Sequence, residues 1–408
     1  MNRWRYYWRL LQSQIWFRAS LYAAFGVAAA LIAVIVAPLV PQELAERLGG
    51  GSVDSILTIL ASSLLAVATF SLGAWVSAYT SVSQAASPRV ATLVIADEPT
   101  QRALSTFVGA FLYAIVALSA VQAGIYGPQG RAVIYLTSLL IVGLVAFRLL
   151  AWINRLASLA RLSHMIELLE RTTAEWLENQ PPGPAPEPVS GPEVVCPATG
   201  YVENIDLSAL EDLAEEMDCR IEILAPVGSY RLRGEPIARI AVNALTDTQA
   251  SDLRSAFVVA TRRSFDQDPR YGLIVLAEIG ERALSPAVND PGTAIQISGV
   301  AVRLLDDWGR LKVQDTPEPL AKRVTRPPLE PEVLLTDVFL PLIRYGMGDL
   351  AVAIRVQKGL RSLAACKTSI SAPARRLADE AASRARANLP KEDCARFDAE
   401  FKDAAARP

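Results

Sequence analysis

Four long apolar runs occupy the first part of the chain, at residues 19–41, 55–84, 103–125 and 132–152, and the rest is of mixed polarity. At ~1.5 Å of rise per residue each run is long enough, as a helix, to cross a hydrocarbon layer ~30 Å thick. The pattern predicts an α-helical membrane protein with four transmembrane helices. The second run is the most informative, because no charged residue lies between Asp54 and Arg89. A helix of that span reaches roughly 50 Å, so it must project beyond the bilayer or break near Gly73. Thr58, Ser62, Ala66, Thr69, Gly73, Ser77, Thr80 and Gln84 recur at steps of three and four and share one small, polar face. Leu57, Leu60, Leu64, Val67 and Trp75 lie on the opposite side and suit lipid or apolar neighbours. A polar stripe of this kind has two readings. It lines a water-filled path, or it is packing glue, since small residues let helices approach and hydroxyls bond across the contact.

The first run carries its own stripe of small residues, Ala19, Ala23, Gly26, Ala30, Ala33 and Ala37, which reads as a helix-packing face. If Ser62, Thr69 and Ser77 were buried against that stripe within one chain, no continuous aqueous path would remain. Residues 1–18 mix Trp4, Tyr6, Tyr7, Trp8 and Trp16 with arginines, an amphipathic composition suited to the headgroup level. Arg3, Arg5, Arg9, Arg18, Arg89, Arg102, Arg155 and Arg161 fall on one side of the membrane, against Arg47 and Arg131 on the other. The positive-inside rule then places both termini in the cytoplasm. Arg148 lies inside the last run, about one turn from its cytoplasmic end. It snorkels to the headgroups or contacts an anion at a pore mouth.

Beyond the spans, residues 153–180 continue as an amphipathic helix containing the only histidine, His164, and residues 181–192 form a proline-rich linker. Residues 193–245 read as a small β-rich module. Gly200–Ile205 is a strand, Ser208-Ala209-Leu210-Glu211 a capping box, and Arg220–Ala225 and Ile237–Ile240 further strands. This segment resembles half-motifs of barrel-sandwich hybrid modules, the fold of lipoyl and biotinyl carriers, but it lacks the carrier lysine. What the resemblance implies is a rigid docking or oligomer-spacing module within a cytosolic α+β region. Residues 246–408 read as a helical cytosolic domain.

In that domain Asp268-Pro269 and Asp290-Pro291 repeat the order that opens helices, with Asp at the N-cap and Pro at N1. Two capped helices joined by a structured turn are the simplest reading. Alternatively, Arg262, Arg263, Asp266, Asp268, Arg282, Ser285, Asn289, Asp290 and Thr293 gather as a ligand-binding cluster. Helix N-termini would there attract an anion, or paired carboxylates a divalent cation.

Composition narrows the chemistry. Forty Lys+Arg against forty-two Asp+Glu give a net charge of −2, so no nucleic-acid partner is implied. The four cysteines, Cys196, Cys219, Cys366 and Cys394, form no CxxC pair and read as reduced thiols. The first lysine is Lys312, which removes a phosphate-loop motif from most of the chain. With no GxSxG, no HExxH and no nucleophile–base pair, no enzyme and no cofactor or metal site is expected.

At Ser87-Pro88-Arg89, Gly200-Tyr201-Val202, Gln267-Asp268-Pro269-Arg270-Tyr271-Gly272 and the stretch Arg282 to Ala294, the sequence resembles a bacterial family of predicted membrane proteins known only as a domain of unknown function. The resemblance implies a multi-pass inner-membrane protein with a large cytosolic domain, and it brings no reaction or substrate. Our reading from sequence is a homo-oligomeric, channel-like protein conducting ions or small solutes. Its path would be lined by Thr58, Ser62, Thr69, Gly73, Ser77, Thr80, Gln84 and Arg148, with lipid and further copies of itself as partners. The alternative is a membrane-anchored sensor or scaffold whose cytosolic domain binds a ligand or partner.

Overall fold

The computed structural model describes residues 15–43, 45, 52–95, 97–159, 161–312 and 322–402. The aromatic, basic stretch up to residue 14, the three glycines Gly49–Gly51 and residues 313–321 lie outside the described residues. The chain divides into a membrane unit ending at Met165 and a C-terminal unit from Ile166 onward.

In the membrane unit, helices α1 (Ile15–Val36), α2 (Ser52–Ala85), α4 (Glu98–Gln122) and α5 (Pro128–Leu159) carry the four spans, and α3 (Pro88–Ile95) is a short helix between them. The second span does not break at Gly73 but runs unbroken for 34 residues. Its length is resolved by α3, which folds back along its last turns. Ser87 accepts from the amides of Arg89 and Val90, Pro88 opens α3, and Trp75 Nε1 donates to the Val94 carbonyl at 3.4 Å. Val90, Ala91 and Val94 are buried on that side, as are Ala78 and Val82 of α2.

The third span begins earlier than its apolar run, at Glu98, because Asp97 caps it. The Asp97 carboxylate accepts from the Thr100 amide at 3.1 Å and from its hydroxyl at 2.6 Å. Its other oxygen takes both Nε and Nη2 of Arg155, at 3.1 and 2.6 Å. Arg18 and Arg102 both bond Glu98 at the same end, whereas Arg131 faces Asp54 at the opposite end. These ion pairs fix the depth of the helices against one another.

The small stripe of α1 packs against the third span. A Cβ on Gly26 would lie 2.5 Å from the Gly109 carbonyl oxygen, and one on Gly109 would lie 2.7 Å from that of Tyr22. Only a glycine–glycine crossing permits that approach. Ala30 and Ala33 continue the contact and are buried. Leu57, Leu60 and Leu64 of α2 enter the same core with Phe107, Tyr113 and Ile134.

In the C-terminal unit, helix α6 (Leu162–Glu178, here from Ile166) leads to two small sheets. One has the order β1 (Glu193–Val195), β5 (Pro236–Ile240), β3 (Ile221–Ile223), β7 (Val324–Thr325), the last pair parallel; the other is β4 (Tyr230–Arg231), β2 (Gly200–Ile205), β6 (Phe257–Ala260), all antiparallel. They share a core of Val202, Ile205, Ile221, Ile223, Ile237, Ile240, Leu210 and Phe257 with helices α7 (Leu207–Glu216) and α8 (Asp247–Ser255). Two strands lie outside the expected 193–245 module. β6 falls in a stretch read as helix, where the run Phe257-Val258-Val259 favours a strand once α8 has ended. β7 falls within the region read as helical, in a stretch flanked by Pro319, Pro327 and Pro328, and is pinned by Glu211, which accepts backbone N–H groups of Lys322, Arg323 and Val324 at 2.8–3.1 Å. No closed barrel forms among the described residues; the sheets stay open.

The remaining helices, α9 (Pro269–Ala283), α10 (Pro291–Arg310), α11 (Pro331–Gly346), α12 (Leu350–Ala365), α13 (Ser371–Asn388) and α14 (Lys391–Lys402), pack around Leu276, Ile279, Leu305, Trp308, Phe339, Leu342 and Leu360. The chain breaks fully between α11 and α12, at Met347-Gly348-Asp349, where Asp349 caps α12 by accepting from the Val352 amide.

Candidate functional site

The polar edge of the second span points away from its own bundle. Thr58, Ser62, Ala66, Thr69, Gly73, Ser77, Thr80 and Gln84 are all exposed in the single chain, while Leu57, Leu60, Leu64, Ala78 and Val82 are buried. A Cβ placed on Gly73 meets nothing within 4 Å. The edge is therefore not covered by the alanine stripe of α1, which is occupied by Gly109 and its neighbours. Four of its hydroxyls bond back along their own helix: Thr58 to the Asp54 carbonyl, Ser62 to Thr58, Thr69 to Leu65 and Thr80 to Val76, at 2.8–2.9 Å. On α5, Arg148 is half-buried, and its Nε has no hydrogen-bond partner among the described residues. Among the described residues the edge is an outer surface of the single-chain bundle and encloses no channel of its own.

The nine residues of the C-terminal candidate cluster divide into two groups at opposite ends of α9, whose 15 residues span roughly 22 Å. They do not form one site. At the N-terminal end, Asp268 caps α9 by accepting from the Tyr271 amide at 3.0 Å and pairs with Arg263, whose Nε and Nη2 lie 2.9 Å from its two oxygens. The pair is nearly dry, with side chains 16% and 2% exposed. Burial pushes the Asp268 carboxyl up from its ordinary range, against the opposing pull of Arg263 and the Tyr271 amide. The Tyr271 ring lies under the guanidinium at 5.1 Å. Gly228 closes the other side: its φ is +86°, and a Cβ there would meet Asp268 Oδ2 and Arg263 Nη2 at 2.4 and 2.8 Å. Asp266 accepts from Asn204 Nδ2 at 3.3 Å, and Gln267 brackets the backbone of Ile205 through its own side chain. Arg262 is exposed and outside this arrangement. The group locks the three-stranded sheet to the start of α9.

At the far end, Ser285 Oγ donates to the Arg282 carbonyl, and the Ser285 carbonyl accepts from Val288 and Asn289. Asp290 caps α10, taking the Thr293 amide at 3.1 Å and its hydroxyl at 2.6 Å, so its carboxyl sits below the ordinary range. The turn satisfies most of its own polar groups and leaves Arg282 and Asn289 facing outward. Gln267 and Asn289, at φ of 58° and 50°, each stand immediately before a capping Asp-Pro pair, so one local device is used twice. The carboxylates of Asp268 and Asp290 lie too far apart to share a cation. Among the described residues no three His, Cys, Asp or Glu side chains are placed to hold a metal ion.

Sequence reading missed Gly228, Asn204 and Gln267 as parts of the first group. A Val-Gly turn some 40 residues before Asp268 carries no mark of its partner. It also missed Asp97 as the partner of Arg155, although Asp97-Glu98-Pro99-Thr100 marks a helix start.

No solved structure gives a significant match to this chain. It is 23% identical over 318 residues to uncharacterized protein Mb1321c of Mycobacterium bovis and to uncharacterized protein Rv1290c of Mycobacterium tuberculosis, a match covering 70% of this chain and 59% of each relative. The chain thus spans less than two thirds of the length of the curated relatives it matches. Residues 12–362 match the family described as "Predicted membrane protein (DUF2254)", and with that span, most of its length, the chain belongs to this family.

Proposed function

We infer that this protein is a homo-oligomeric, channel-like protein of a bacterial inner membrane, with both termini in the cytoplasm, conducting ions or small solutes between subunits. One observation carries the reading: the small, hydroxyl-bearing edge from Thr58 to Gln84 is left uncovered in the single chain along most of a 34-residue helix. Hydrocarbon offers hydroxyls and the Gln84 amide nothing, whereas a second copy offers close packing and a place for water. Four spans alone cannot wall a path, and further copies supply the walls. No carboxylate lies within the apolar runs 19–41, 55–84, 103–125 and 132–152, Asp54 and Glu98 standing at helix ends, so the path is weakly selective. Arg148 biases it toward anions, and the C-terminal unit shapes or gates its cytoplasmic mouth.

A second reading has its own support. Because Thr58, Ser62, Thr69 and Thr80 are already satisfied along their own helix, the edge can also pack dry. The protein would then be an anchored platform whose C-terminal unit binds a ligand or partner. Conductance of the purified full chain in planar bilayers separates the two. The channel reading expects currents that fall when Thr69 is changed to Leu; an oligomer that carries no current leaves the platform.

A further inference from the structure

A cavity of about 320 Å³ opens at the end of the membrane unit where the arginines collect. It is lined by Pro99 at the start of α4 and by Ala151, Asn154, Arg155, Ser158 and Arg161 from the end of α5 and just beyond. Arg155 is held in place: Nε and Nη2 both grip Asp97, and among the described residues Nη1 has no protein partner. The Arg161 side chain has no carboxylate partner among the described residues. Ser158 Oγ is turned back to the Arg155 carbonyl, and Asn154 is exposed into the opening. Five arginines (18, 89, 102, 155 and 161) stand at this end against the two carboxylates Asp97 and Glu98, so the region is cationic.

What meets the cavity from the membrane side says what it holds. Leu140, Leu144, Phe147 and Ala151 follow one another at steps of three and four along α5, and all are exposed, Leu140 at 74% and Phe147 at 66%. That face continues directly into Asn154, Arg155 and Ser158. An apolar track ending in a polar, arginine-bearing hollow matches an amphiphile whose acyl chain lies along the track and whose phosphate enters the hollow. Arginine's planar fork suits phosphate oxygens, and Asn154 adds an amide donor.

We propose that this cavity is a binding site for the phosphate of an anionic glycerophospholipid, seated between the start of the third span and the end of the fourth. The proposal does not depend on whether the protein conducts. The test uses the purified full chain in detergent, with thermal stability and native mass spectrometry read during addition of phosphatidylglycerol, phosphatidylcholine or inorganic phosphate at constant ionic strength. Phosphatidylglycerol should bind at least several-fold more tightly than phosphatidylcholine, and phosphate alone should do nothing. Arg161→Gln, and separately Asn154→Leu, which fills the opening, should abolish the preference. Arg89→Gln, which removes one charge at the same end but outside the cavity, should keep it. Equal binding of the two lipids, an unchanged preference in both cavity variants, or the same loss in Arg89→Gln would overturn the site. Protection by phosphate equal to that by phosphatidylglycerol would overturn the lipid assignment.

Discussion

The Gly26–Gly109 crossing is the tightest point in the membrane unit, and it gives a sharp test of the packing. Gly109→Ala places a methyl carbon 2.7 Å from the Tyr22 carbonyl oxygen, 2.9 Å from its carbon and 3.0 Å from its Cβ. Two of these neighbours are backbone and cannot rotate aside. Ordinary carbon contacts sit at ~3.5–4.0 Å, so α1 and α4 must part by on the order of 1 Å, a gap that forfeits a quarter to a half of each dispersion contact nearby. Overpacking of this kind costs about 1–3 kcal/mol, and in a bilayer no hydrophobic gain between helices offsets it. Gly26→Ala meets the same limit at 2.5 Å from the Gly109 oxygen. Since both changes open one crossing, the double variant should lose less than the sum of the two. Gly73→Ala and Gly143→Ala are matched controls, because a Cβ at either meets nothing within 4 Å. They should leave the isolated chain as stable or slightly more so, by up to ~1 kcal/mol, since alanine is the better helix former. The measurement is thermal unfolding of the full chain in one detergent. If Gly109→Ala is tolerated as well as Gly73→Ala, the crossing described here is wrong.

Further expectations concern the C-terminal unit. Asp268→Ala should cost about 3–5 kcal/mol by leaving Arg263 dry and unpaired. Asp268→Asn, which keeps the cap, should cost less, and hydrogen exchange in the first turns of α9 reads the difference. Glu211→Gln removes a carboxylate that takes three backbone N–H groups, so β7 should loosen and trypsin should cut faster after Lys322 and Arg323. The Asp290 carboxyl is lowered by its bonds to Thr293. Its contribution is therefore full above the unfolded value near 3.9 and is lost as pH falls through the lower folded value. Asp290→Asn should flatten the fall in thermal midpoint between pH 5 and pH 3.

The sequence disclosed the membrane elements well because each is a continuous signal. An uncharged run from Ser55 to Pro88 leaves little but a spanning helix, and the small stripe of the first span announces a close helix contact. It did not disclose which helix meets which stripe. That choice depends on the third span presenting Gly109 opposite Gly26, a match between residues 83 positions apart. The Asp-Pro pairs revealed two helix starts, since capping is local chemistry. The helix between them was legible too; what the residue types did not disclose is that its 15 residues, roughly 22 Å, hold the two polar groups apart rather than letting them gather. β6 and β7 were missed because four-residue and two-residue strands take their conformation from the partners they meet. Glu211 and Gly228 gain their roles in the same way, from segments far along the chain.

The uncovered edge of the second span is the claim on which the functional reading rests. The direct measurement is thiol accessibility at Ser62, Thr69 and Ser77, each changed singly to Cys, with the exposed apolar positions Phe70 and Leu72 as comparisons. The background needs Cys366 and Cys394 changed to Ser, because these are the partly exposed native thiols, whereas Cys196 and Cys219 are buried. In reconstituted membranes the edge positions should react with a charged, membrane-impermeant reagent and cross-link between copies, while Phe70 and Leu72 positions stay silent. Edge positions as unreactive as Phe70, with no cross-link between copies, would contradict the account.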